Sequence, residues 1–95
     1  ALKDYNKLIA EKPESLLYSG RADVYLKMKR NKEALTDVNK AISIDPKFAQ
    51  AYVTKALILF NTAKPKEACE TLDRAVSLGY EKAILAEYYA KCVKK

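Results

Sequence analysis

A block of this sequence repeats itself after 34 residues, and no other feature restricts the possible folds as strongly. When residues 15–48 are aligned with the stretch that begins at position 49, small and aromatic residues recur at the same places. Identical pairs include Tyr18 and Tyr52, Ala22 and Ala56, Lys32 and Lys66, Glu33 and Glu67, Ala34 and Ala68, and Ala41 and Ala75. A unit of this length is too small to bury its own apolar face, so neighbouring copies must stack. The repeat therefore predicts a scaffold of stacked units.

The beginning of the chain carries half of a further unit, in a register one residue shorter. Residues at its start match the second half of the next unit at a shift of 33: Ala1, Leu2, Asp4, Asn6, Lys7, Ile9 and Pro13 match Ala34, Leu35, Asp37, Asn39, Lys40, Ile42 and Pro46. We interpret 1–13 as the second helix of a partial repeat, 15–48 and 49–79 as full repeats, and 80–95 as a capping helix. A start inside a unit indicates either a natural protein that continues upstream or a piece of a longer one.

Apolar residues spaced three and four positions apart predict that every element is a helix. The expected helices cover residues 1–11, 16–29, 32–43, 48–61, 65–78 and 81–95. Asn31 is expected to cap the third helix, and Pro65 to begin the fifth. Gly79 is expected to end the fifth helix in a left-handed conformation.

Composition narrows the class of protein. The chain has 95 residues, 49% of them hydrophobic, with only 2 Gly and 3 Pro, which favours long helices. The sequence shows no apolar run that could span a bilayer and no secretory signal. We therefore expect a soluble, intracellular protein of the cytoplasm, with the nucleus as an additional location.

The two cysteines, Cys69 and Cys92, are too few for a disulfide-stapled secreted mini-domain. Both fall on apolar helical faces, so the simpler interpretation is two buried small hydrophobes in a reducing compartment. The alternative is a disulfide or a redox pair.

The recurring residues resemble the tetratricopeptide-repeat (TPR) family, in which a bulky aromatic, small residues and a closing proline recur in each helix pair. Tyr18 and Tyr52 stand at the aromatic site, and the small sites are Ala22, Ala34, Ala41, Ala56, Ala68 and Ala75. Small residues are needed where backbones approach closely. Pro46 closes the first full repeat, whereas Gly79 and Tyr80 replace the expected Asp-Pro in the second. The resemblance implies an all-α, right-handed solenoid of antiparallel helix pairs with a C-terminal capping helix.

A finer resemblance concerns function. The segments at residues 18–22 and 52–56 are similar to stretches of TPR co-chaperones, which grip the acidic C-terminal tail of heat-shock chaperones with a carboxylate clamp of Asn, Lys and Arg. The matching positions here are Gly20, Gln50 and Thr54, which lack the charge-assisted donors that a carboxylate needs. A co-chaperone-like repeat without the clamp resembles the adaptor that couples heat-shock chaperones to assembly of ubiquitin ligases and kinetochores. A rival interpretation is a structural segment of a longer solenoid.

By analogy with the family, the first helix of each pair lines a concave groove for a protein or peptide ligand. The residues expected there are Ser19, Gly20, Asp23, Lys27, Gln50, Val53, Thr54, Leu57 and Asn61. The alternative is that this face is simply the solvated inside of a small stack. The partial first repeat also leaves an apolar face on which two copies could associate.

The charge and the residue types of the chain argue against nucleic-acid binding and against catalysis. The net charge is +6, but the tyrosines fall mostly on inward faces, so solvated lysines or an acidic protein partner are favoured over nucleic acid. Histidine is absent, and no phosphate loop or CxxC motif occurs. Asp37, Glu67, Glu70 and Asp73 are expected on or near outward helix faces. We therefore expect no catalysis, no metal and no cofactor.

Overall fold

A computed structural model describes residues 2–92, and all of its regular elements are helical. The five long helices are α1 (Leu2–Glu11), α2 (Ser15–Lys27), α3 (Asn31–Ile44), α4 (Ala49–Asn61) and α5 (Pro65–Ser77). Helices α2 and α3 form one packed pair and α4 and α5 the next, with α1 against α2. This confirms the all-α repeat fold predicted from the sequence. Within the described part of the chain, no helix is both long and apolar enough to cross a membrane.

Two of the predicted helix ends are confirmed. Pro65 is the first residue of α5, where its missing N–H would have had no intrahelical partner. Gly79 follows α5 with a φ of +107°, a conformation that glycine adopts without the steric cost of a Cβ atom. The backbone N–H of Tyr80 then donates to the carbonyl oxygen of Ala75 at 3.1 Å, which closes the end of the helix.

The prediction for Asn31 was wrong. Helix α3 begins at Asn31 itself, preceded by Arg30, so the asparagine occupies the first helical position instead of capping the helix. Its side-chain Oδ1 is buried without a hydrogen-bond partner.

The core forms two apolar clusters, one between α2, α3 and the facing side of α4 and one between α4, α5 and the capping region, and small residues make the close crossings possible. All six predicted small sites have no exposed surface: Ala22, Ala34, Ala41, Ala56, Ala68 and Ala75. Leucine, isoleucine and valine side chains fill the space around them, and Tyr18 and Tyr52 pack at the edges of the two clusters. The repeat pattern therefore marks the helix crossings correctly.

The C-terminal cap differs from the single helix expected over residues 80–95. Up to Cys92, it consists of a 3₁₀ turn (Lys82–Leu85), one short helix, α6 (Ala86–Tyr89), and a second 3₁₀ turn (Ala90–Cys92). We call residues 82–92 the capping segment; residues 93–95 of the predicted cap lie outside the described residues. Leu85 is its one buried residue, with 1% of its surface exposed, and it completes the second apolar cluster.

At the opposite end, α1 has no buried residue. Leu8 is 45% exposed, and Leu2, Tyr5 and Ile9 are only half-buried. The apolar face of α1 is therefore covered on one side alone, as its sequence predicts.

Candidate partner-binding groove

Polar contacts join α1, α2 and α3 beside the candidate groove. The Arg21 guanidinium of α2 donates to both carboxylate oxygens of Asp37 on α3, at 2.7 and 2.9 Å, and to Oδ1 of Asn6 on α1 at 2.9 Å. This bidentate hydrogen bond to Asp37 raises the pKa of Arg21 above its ordinary value. Asp37 was expected on or near an outward face, but it is buried because the arginine compensates its charge.

A groove of about 640 Å³ opens between α1, α2 and the start of α4. Four of the predicted binding residues line it: Ser19, Gly20, Asp23 and Gln50. Five further residues complete its wall and were not predicted as site residues: Asp4, Tyr5, Leu8, Leu16 and Leu17. The groove thus combines an apolar wall with two carboxylates, although the whole chain carries a net charge of +6.

Asp23 and Thr54 form the polar floor of this region. The Thr54 hydroxyl is fully buried and donates to Oδ1 of Asp23 at 3.0 Å. Burial raises the pKa of Asp23, and the hydrogen bond from Thr54 and the charge of Lys27 oppose that rise. Ser19 is 2% exposed and its hydroxyl has no partner. Thr54 is therefore engaged within the fold, whereas one edge of Asp23 faces the groove.

Gly20 has a packing role. A Cβ atom built at this position would lie 2.6 Å from the aromatic ring of Tyr5, closer than real Cβ contacts allow. The absence of a side chain lets the Tyr5 ring lie directly against α2. A side chain here would displace Tyr5 and change the wall of the groove.

The remaining predicted residues do not join this groove. Lys27 and Asn61 line a separate hollow of about 400 Å³ together with Leu26, Lys29 and Asn31. Val53 is buried in the core, and Leu57 is half-buried outside both cavities. Of the nine predicted residues, four line the groove and two line the separate hollow. Two more, Val53 and Thr54, are buried, and Leu57 lies outside both cavities.

The cysteines required a correction, because Cys69 and Cys92 form a disulfide with their Cα atoms 5.9 Å apart. The interpretation as two free buried thiols was therefore wrong, and the alternative of a disulfide describes the pair. Disulfides are typical of oxidising compartments, so the cysteines give no support to a cytoplasmic location, which stays a prediction. The helical pattern could not reveal the pairing, because Cys92 lies in a cap whose path departs from a helix.

Cations and aromatic rings are paired over much of the surface. Arg30 lies 5.5 Å from the ring of Tyr25, Arg74 5.9 Å from that of Tyr52, and Lys82 5.0 Å from that of Tyr89. Tyrosine faces that stack on the protein's own cations are not free to stack on bases. For residues 2–92, no cluster of three or more His, Cys, Asp or Glu side chains is arranged to hold a metal ion.

Comparison with known proteins gives two matches to family descriptions, both of tetratricopeptide repeats, over residues 15–48 and 49–78. The chain is 30% identical over its whole length to an Hsp70-Hsp90 organizing protein of Triticum aestivum, and spans 16% of that protein. It is 30% identical over 96% of its length to a Protein SGT1 homolog of Oryza sativa subsp. japonica, of which it spans 24%. The chain thus corresponds to a minor part of each of these relatives.

A solved structure shares the fold closely. The TPR2B domain of yeast Sti1, in a structure described as its complex with pHsp70, superposes with a TM-score of 0.89 and 34% sequence identity. The superposition covers 96% of this chain and 78% of that one.

Proposed function

Because the chain belongs to the tetratricopeptide-repeat family, we propose that it is the partner-binding domain of a co-chaperone-type adaptor that holds its ligand without a carboxylate clamp. The ligand is a protein or peptide, and the groove between α1, α2 and α4 takes part in holding it. In this proposal the domain binds and does not catalyse. The relatives named above support the co-chaperone class.

The observation that supports the proposal is the scarcity of side-chain donors at the positions that match the clamp. Gly20 has no side chain, and Thr54 is buried with its hydroxyl hydrogen-bonded to Asp23. Of the three positions, Gln50 alone reaches the groove with a side-chain donor. The carboxylates of Asp4 and Asp23 would repel an anionic tail, so this surface favours a neutral or basic ligand.

Among co-chaperone adaptors, we propose the class that links heat-shock chaperones to assembly of ubiquitin ligases and kinetochores. The co-chaperone-like segments at residues 18–22 and 52–56, together with Gly20, Gln50 and Thr54 at the clamp positions, support this choice. In such an adaptor the repeat domain would engage a client or assembly partner, and a different domain would engage the chaperone.

A binding assay with matched variants tests the groove. Leu16 lines the groove and is 66% exposed, whereas Ile84 lies on the capping segment outside it and is 62% exposed. Leu16→Arg and Ile84→Arg therefore add the same charge at equally exposed apolar sites, with little effect on folding. Partners retained by the wild-type domain and identified by mass spectrometry should be lost with Leu16→Arg and kept with Ile84→Arg. Equal retention by both variants would show that the groove is not the binding surface.

The exposed apolar face of α1 favours a second candidate function, a structural segment of a longer solenoid. Leu8 and Leu16 leave apolar surface open, and such surface tends to recruit a further helix or a second copy. We propose self-association as the behaviour of this chain in isolation. Sedimentation equilibrium distinguishes the cases: a dimer dispersed by Leu8→Lys supports stacking through α1, and a strict monomer contradicts it.

A further inference from the structure

The disulfide lies beside an open groove of about 350 Å³. Both cysteines line it, with five neighbours from α5 and the capping segment: Pro65, Lys66, Glu70, Asp73 and Lys91. Two lysines and two carboxylates balance each other's charge, so the groove selects its occupant by size and not by charge. Volumes of this size lie at the lower end of small-molecule sites. Both cysteines therefore border a space that a small thiol can enter.

The same disulfide fastens the capping segment to the body of the protein. Cys92 stands in the last turn of that segment and Cys69 in α5. The other polar and aromatic contacts with the body include a hydrogen bond from the Tyr89 hydroxyl to Asp73 at 2.7 Å, the stacking of Tyr88 on Phe60 at 6.4 Å, and the Lys91 ammonium 5.3 Å from the Phe60 ring. Because the segment consists of short turns with one buried residue, it has little intrinsic helical stability.

The capping segment covers a surface that the repeat pattern identifies as a docking face. In the preceding unit, α4 packs against α3, and α5 is the repeat equivalent of α3. Leu85, Tyr88 and Tyr89 cover the corresponding apolar face around Leu72 and Phe60. Removal of the segment would expose a face shaped to receive another helix.

We propose that the Cys69–Cys92 disulfide is a thiol–disulfide exchange site for a small thiol of the glutathione class, and that its reduction releases the capping segment. The thiolate of the incoming molecule attacks Sγ of Cys92, the S–S bond breaks, and its electron pair leaves on Sγ of Cys69. A second thiol then attacks the mixed disulfide and frees Cys92. In sum, two small thiols become one disulfide, and their two protons and two electrons reduce the two cysteines.

Exchange kinetics in native conditions test access to the sulfur atoms. The protein is incubated with reduced glutathione, free thiols are trapped by alkylation, and products are resolved by mass. We expect a glutathione adduct on one cysteine to precede the appearance of two free thiols. Glu70→Trp fills the groove, and Glu70→Gln is its matched control. The first should slow exchange about tenfold because access governs the rate, and the second should leave it unchanged. A disulfide that reacts only in urea, or equally in both variants, overturns the exchange site.

Hydrogen exchange on the reduced protein tests the release of the cap. We expect backbone amides of residues 82–92 to lose protection after reduction, while those of α2 and α3 keep theirs. The double variant Cys69→Ser with Cys92→Ser should show the same hydrogen-exchange pattern as the reduced protein. Added thiol should not change that pattern. Full protection of residues 82–92 in both reduced protein and double variant would overturn the release.

Discussion

The two ends of the stack are secured in different ways. At the N-terminal end, α1 buries no residue completely and is tied to α2 and α3 through Arg21, Asn6 and Asp37. At the C-terminal end, an irregular segment buries Leu85 and is cross-linked to α5 by a disulfide.

This difference shows that an element packed on one side can be held in two ways. The α2–α3 pair packs against α1 on one side and α4 on the other, whereas α1 and the capping segment each pack against the described stack on one side. The N-terminal end leaves an apolar wall open for a ligand or another helix. The C-terminal end closes its apolar face with the capping segment. The predictions below separate these two arrangements.

The largest expected effect is at the closed end. Leu85→Ala should lower the free energy of unfolding by about 2–5 kcal/mol, because it leaves a cavity in the second cluster. Leu8→Ala, the matched change at the open end, should cost less than about 1 kcal/mol, since that side chain is already 45% exposed. Urea denaturation monitored by circular dichroism gives both values. Equal costs at the two ends would contradict the comparison.

Removal of the Arg21 side chain, which holds α1 and α3 to α2, should lower the free energy of unfolding nearly as much. Arg21→Ala should cost about 3 kcal/mol, because it leaves the buried carboxylate of Asp37 without its partner. Lys55 is the repeat equivalent of Arg21 and makes no ion pair within residues 2–92, so Lys55→Ala should cost less than about 1 kcal/mol. Chemical denaturation measures the difference, and hydrogen exchange should show α1 opening first in Arg21→Ala. An Arg21→Ala protein as stable as the wild type would contradict the anchoring role.

Substitutions at the close helix crossings inside the stack provide a reference for the stability changes expected at its two ends. Ala41→Leu and Ala75→Leu should each destabilise the fold by about 1–3 kcal/mol, because both sites are fully buried and a larger side chain forces the helix pair apart. The matched control is Ala10→Leu on the exposed side of α1. Melting temperatures unchanged by either buried substitution would refute these sites as close crossings.

The smallest expected effect is the pH-dependent contribution of the Tyr89 hydroxyl to the free energy of unfolding. Burial and the hydrogen bond to Asp73 raise the pKa of Tyr89 to about 12, above the ordinary value near 10. The neutral phenol is thus favoured in the folded state, so its contribution is complete below pH 10 and is lost as the pH rises towards 12. Tyr89→Phe should cost about 0.5–1 kcal/mol at pH 8 and progressively less above pH 10. Denaturation midpoints across this range, with Tyr80→Phe as control, measure it; a pH-independent difference would contradict the assigned hydrogen bond.

The sequence predicted most of the fold because the repeat constrains backbone packing directly. Alanines that recur at fixed positions could be assigned to helix crossings, and Pro65 and Gly79 to helix ends, from local chemistry alone. Asp37 was misplaced because periodicity positions a carboxylate on a face but does not identify a partner on another helix. Arg21, a basic residue on the neighbouring helix, was the available signal for that ion pair.

The candidate site was predicted less completely. Helical analogy selected residues on α2 and α4, but the groove also needs Asp4, Tyr5 and Leu8 from α1, a helix treated only as an incomplete repeat. Thr54 was selected by position, although its burial and its bond to Asp23 remove it from contact with a ligand. The disulfide depends on the irregular path of residues 82–92, which no periodic pattern describes.

The most direct test of the central claim, partner binding without a carboxylate clamp, is calorimetric titration with the acidic C-terminal peptide of a heat-shock chaperone. The peptide is measured as the free acid and with its terminal carboxylate amidated, and the TPR2B domain of yeast Sti1 is the positive control. For this chain we expect a Kd weaker than about 1 mM for both forms, because Gly20 and Thr54 offer no donor and Asp23 repels the tail. Sub-micromolar binding of the free acid that is lost on amidation would contradict the account.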